Sequence, residues 1–102
     1  MTHSPRDVRR STDFSAQLLT PAGDVFGEGR VRNVSSSGLC MEHSLALHPG
    51  AYVGIEIPPD ESRGRIAILG EVRWANGPEI GLQVTAMMPH HRARYSRLLE
   101  SL

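Results

Sequence analysis

The sequence predicts a mainly β protein of one domain: six short strands forming a barrel or sandwich, one C-terminal helix packed on them, and a flexible N-terminal arm. Three observations carry this. Runs of strand-forming residues are separated by turn residues about every ten positions. The last dozen residues switch to helical spacing. At 102 residues the chain is long enough for one core and too short for two.

Residues 1–13 are polar and charged, with Pro5 and Ser11-Thr12-Asp13 discouraging a helix, so they are expected to form the arm. The folded domain is expected over 14–102. Phe14–Thr20 reads as the first strand, and Pro21-Ala22-Gly23-Asp24 turns it into Val25–Val34. Strict alternation puts Val25, Gly27, Gly29, Val31 and Asn33 on one face of that second strand and Phe26, Glu28, Arg30, Arg32 and Val34 on the other. Ser35-Ser36-Ser37-Gly38 turns the chain into Leu39–His43, and Pro49-Gly50 leads into Ala51–Ile57. After Pro58-Pro59, Arg65–Ala75 places Ile66, Ile68, Gly70, Val72 and Trp74 on one face, and Asn76-Gly77-Pro78 leads into Glu79–Thr85. Pro89 suits a first helical turn, where its missing N–H costs little. The helix is expected over about 89–101. Tyr95, Leu98, Leu99 and Leu102 form its apolar stripe, which must pack on the strands because so short a helix is marginal alone.

Eleven acidic and eleven basic residues cancel, so no global field draws the chain to nucleic acid or anionic lipid, and any electropositive site must be local. All eleven basic residues are arginine. A compositional bias explains that count without choosing the positions. The lone Cys40 lies in an apolar stretch and reads as a buried small hydrophobe in a reducing compartment. No apolar run approaches the roughly 20 residues of a membrane span, and the N-terminus lacks a signal-peptide core. The expectation is a soluble, cytoplasmic protein without membrane insertion.

Two motifs carry chemistry. Arg6-Asp7-Val8-Arg9-Arg10 is Arg-x-x-x-Arg with a further arginine inside, and Asn33-Val34-Ser35-Ser36-Ser37-Gly38 is Asn-x-Ser-x-x-Gly at a strand end. Guanidinium groups pair with phosphate oxygens or guanine O6 and N7 through two parallel hydrogen bonds and stack on bases. Asn33 and Ser35 share a face if the strand stays extended through them, and Gly38 allows positive φ or close approach of a ligand to the backbone.

The two motifs in this order, with Gly29-Arg30-Val31-Arg32 leading into the second and Gly70-Glu71-Val72-Arg73-Trp74 and Gly81-Leu82-Gln83-Val84 following, resemble the PilZ family over nearly the whole chain. The resemblance implies a stand-alone bacterial domain, a six-stranded antiparallel barrel with a C-terminal helix. It further implies a cyclic di-GMP receptor whose ligand residues are Arg6, Arg9, Arg10, Asn33, Ser35 and Gly38. Trp74 is a secondary candidate for stacking on a guanine, although, like Phe14 and Phe26, it reads first as core. The implied output is a surface change read by a protein partner. The alternative is a PilZ-like adaptor that contacts proteins without nucleotide.

DNA or RNA binding calls for aromatic platforms in a basic groove, and five aromatics mostly assigned to the core do not supply them. No Ser-His-Asp order or paired carboxylate arrangement points to an enzyme. His43, His48, His90 and His91 lack metal-ligand spacing, so neither metal nor cofactor is expected beyond the nucleotide ligand. Arg92, Arg94 and Arg97 are expected to form a solvated basic side of the helix.

Overall fold

A computed structural model describes residues 8–44 and 47–102. Six antiparallel strands close into a barrel in the order β1-β2-β3-β6-β5-β4. They are β1 (Arg10–Leu19), β2 (Val25–Val34), β3 (Gly38–His43), β4 (Tyr52–Ile57), β5 (Ile66–Asn76) and β6 (Glu79–Ala86), followed by helix α1 (Pro89–Ser101). The barrel closes through a short ladder in which Gln17, Leu18 and Leu19 of β1 face Glu56, Ile55 and Gly54 of β4. Closure removes the open edges that would otherwise template pairing with another chain.

Every expected strand is present, and β1 begins at Arg10, four residues before the expected Phe14. Arg10 and Ser11 pair with Val34 and Asn33, so the start of β1 is held by the end of β2. The core is aliphatic. Leu18, Val31, Leu39, Met41, Ile55, Ile57, Ile66, Val72 and Ile80 are all buried, and burying each such side chain contributes roughly 1.5–3 kcal/mol.

Two irregularities break the alternation expected from sequence. In β2 the register against β3 shifts between Val31 and Asn33, so Val31 and Val34 both enter the core and Arg32 stays outside. In β5 the register against β6 shifts between Val72 and Trp74, so Val72 is buried while Arg73 and Trp74 both face out. An extra residue in one strand rotates everything after it to the other face. Trp74, expected first in the core, is 41% exposed for this reason, and Phe26 is also exposed. Phe14 is half-buried against the core, as expected.

Helix α1 starts at Pro89 with no side-chain cap and no acidic residue in its first turn. Its position therefore rests on tertiary contacts. Tyr95 and Leu98 are buried, Leu99 packs partly against the core, and Leu102, expected in the stripe, is exposed. Two polar braces fix the helix to the start of β5: Ala67 N–H donates to His91 Nδ1 (3.1 Å), and Arg94 Nη1 donates to the Arg65 carbonyl (2.7 Å). Among the described residues no helix is long and apolar enough to cross a membrane.

Two histidines give the fold a pH dependence. Desolvation lowers the pKa of buried His43. Desolvation, with help from the neighbouring His90 charge, lowers that of His91, whose Nδ1 accepts from Ala67 N–H when unprotonated and lies 3.2 Å from the Arg65 carbonyl, which pulls the other way. A histidine depressed in the folded state leaves the unfolded chain binding more protons as pH falls below about 6.5, so stability declines there. The urea midpoint is expected to hold from pH 8 to pH 7 and to fall between roughly pH 6.5 and pH 5, with a smaller fall in a His43→Gln/His91→Gln variant.

Tyr95 is the main helix-to-barrel anchor, its phenol donating to the Ser35 carbonyl at 2.7 Å inside the protein. Tyr95→Phe keeps the ring and leaves that carbonyl without its donor, so urea unfolding is expected to show a loss of about 1–3 kcal/mol.

Candidate functional site

The turn from β2 into β3 is built from its own polar groups. Ser35 N–H donates to the Gly38 carbonyl (2.8 Å), and Gly38 N–H donates to Ser35 Oγ (3.2 Å). Ser37 carbonyl accepts from Val84 N–H of β6 (2.8 Å). The strand ends at Val34, and the Ser35 hydroxyl is buried within the turn.

Gly38 does not take positive φ. A side chain there would collide with the Leu82 carbonyl, so glycine is required by the close approach of β3 to β6. Its outer side lines a recess of about 230 Å³ shared with Arg9, Ser37, Arg73, Trp74, Gly81, Leu82 and Gln83.

Arg9, just before β1, donates from Nη1 to Asn33 Oδ1 at 2.7 Å and contacts Cys40 Sγ at 3.7 Å. Cys40, expected to be buried, is half-buried at this lip because it pairs with Asn33 across the irregular β2–β3 register. Across the recess the Trp74 indole lies over Gly81 so closely that any side chain at 81 would overlap it. Arg73 Nη1 donates to Gln83 Oε1 (2.6 Å) and sits 3.6 Å from Glu71.

The structure thus gathers Arg9, Gly38 and Trp74 around one recess, with Asn33 joined to it through Arg9. Arg10 goes elsewhere, donating from Nη1 to a Leu102 oxygen at 3.2 Å, and Ser35 serves the turn beneath. Arg6 lies outside the described residues. Sequence reading missed Arg73, Gly81 and Gln83. The cross-strand pairing of an aromatic with a glycine, Trp74 with Gly81, was the one available signal for them, and it needed the β5–β6 register to be seen.

A larger groove of about 590 Å³ lies elsewhere on the barrel, among Leu19, Pro21, Ile68, Met87 and Met88. Its lining is mostly apolar and includes the carboxylate of Glu56, which suits a phosphate ligand poorly. The smaller recess offers two guanidinium groups, amides and an aromatic face.

The PilZ domain family model matches residues 3–101. Among solved structures, the fold is similar to the PilZ domain of CeSA from a cellulose-synthesizing bacterium, with a TM-score of 0.74 at 14% identity, covering 92% of this chain and 96% of that one. It is also similar to the Bacillus subtilis inhibitor of motility MotI/DgrA, with a TM-score of 0.70 at 16% identity, covering 97% of this chain. This chain spans 53% of that protein's length. No curated protein matches the sequence.

Gly81→Ala is expected to push the indole off β6. Trp74 is the sole tryptophan, so its fluorescence should shift to the red, with a stability cost of about 1–3 kcal/mol from overpacking.

Proposed function

The chain belongs to the PilZ domain family, and from that premise we propose that it is a receptor for cyclic di-GMP that changes its surface on binding and so signals to a protein partner. The observation that supports this most is the Arg9–Asn33 hydrogen bond at the lip of a recess that also holds Gly38 and Trp74. The ligand offers two phosphodiester anions, guanine edges and flat base faces. Arg9 suits a phosphate or the O6/N7 edge, Asn33 can exchange its arginine partner for a base edge, and Trp74 presents a stacking surface.

Arg10 supplies a route from ligand to surface. Its present acceptor is a Leu102 oxygen at 3.2 Å, an exposed single contact. A phosphate can accept two parallel hydrogen bonds from the guanidinium fork. Transfer of Arg10 to the ligand, with Arg6 of the same motif as a second contact, would release the end of α1 and so change the surface a partner reads.

Isothermal titration calorimetry tests the reading. Wild-type protein is expected to bind cyclic di-GMP at micromolar ligand, and Arg9→Ala and Arg10→Ala are each expected to weaken binding by about 10- to 100-fold, the worth of one charge-assisted hydrogen-bonded contact. A wild-type protein that gives no binding heat contradicts the receptor reading and leaves the adaptor that works by protein contact.

A further inference from the structure

The chain is neutral overall, yet its compensation is uneven. Arg30, Arg32, Arg63, Arg65 and Arg73 each have a carboxylate within 4.0 Å. Among the described residues, Arg9, Arg92, Arg94 and Arg97 have no side-chain carboxylate so placed, and all four lie either just before β1 or on α1. Three of them donate to neutral oxygens: Arg9 to Asn33, Arg92 to the Ser36 carbonyl at 3.4 Å, and Arg94 to Arg65. Neutral acceptors satisfy a guanidinium's geometry and leave its charge uncompensated.

Of the α1 arginines, Arg94 is directed to the start of β5, whereas Arg92 reaches back over the Ser35–Gly38 turn. That turn carries the recess on its outer side through Ser37 and Gly38. Tyr95 OH, one helical turn from Arg92 on α1, donates to the Ser35 carbonyl at 2.7 Å, so the helix approaches the same turn through both residues. The 3.4 Å contact to Ser36 is long for a charged donor, so little is lost when Arg92 turns to a better acceptor.

We propose that the ligand site extends onto α1 and that Arg92 is a further binding residue, meeting a phosphate of the bound nucleotide beside the Ser35–Gly38 turn. This rests on the cyclic di-GMP reading above and adds to it a residue outside both sequence motifs. The helix then takes part in recognition directly, besides bracing the turn from below.

Calorimetry with cyclic di-GMP on wild type, Arg92→Gln, Arg92→Lys and Arg32→Gln, at low and at physiological ionic strength, decides the matter. Arg32→Gln removes the same charge from an exposed, carboxylate-paired arginine and controls for net charge. The expected result is about a ten-fold loss for Arg92→Gln, partial recovery in Arg92→Lys, less than about a two-fold change for Arg32→Gln, and a weaker salt dependence in Arg92→Gln than in wild type. If wild type binds and Arg92→Gln matches Arg32→Gln in affinity and salt dependence, Arg92 is not a ligand residue and the receptor reading stands. If wild type does not bind, both fall together.

Discussion

The Tyr95 hydroxyl, donating to the Ser35 carbonyl from inside the protein, is the constraint on which the arrangement of the site depends. It ties an uncapped helix to the turn that separates β2 from β3. Without it α1 would rest on the Tyr95 ring, Leu98, the partial packing of Leu99 and the two braces to β5, and the turn would lose the donor beneath it. The same turn is locked from within by Ser35 and Gly38 and from the side by the Val84 N–H. A loop held from three directions is a rigid platform, which suits a site whose selectivity depends on where a few donors stand.

The strand irregularities do the complementary work on the barrel wall. Regular alternation would send Trp74 into a core already filled by Val72, Leu82 and Ile80. One register shift in β5 turns the indole outward over Gly81, and one in β2 admits Val34 to the core while leaving Asn33 half-exposed beside Arg9. Bulges thus convert two strand ends from core-building into recess-building segments, at the cost of local ladder regularity.

These features mark the division between what sequence reveals and what it hides. The strands and helix were legible because their apolar periods and turn residues are local properties; Glu79–Thr85 and Pro89–Ser101 needed almost no adjustment. The motif residues were legible through resemblance, but their individual tasks were not. The Ser35 side chain is buried in the turn, and Gly38, read as allowing positive φ or close approach of a ligand, does not take positive φ and packs against the Leu82 carbonyl. Arg92 read as part of a solvated basic side and is exposed, and what the sequence did not show is its contact 56 positions away at Ser36. Each depends on a register shift or a long-range contact, and strict alternation along one strand contains neither.

The central claim is that one recess, bounded by the Ser35–Gly38 turn, Arg9 and Trp74, receives the cyclic dinucleotide. An amide NMR titration with cyclic di-GMP addresses it most directly. Shifts concentrated at Ser36, Ser37, Gly38 and Cys40, at the Trp74 indole N–H and at the last turn of α1 are the predicted result. Shifts confined to the apolar groove around Met87 and Met88, or none at saturating ligand, would contradict it.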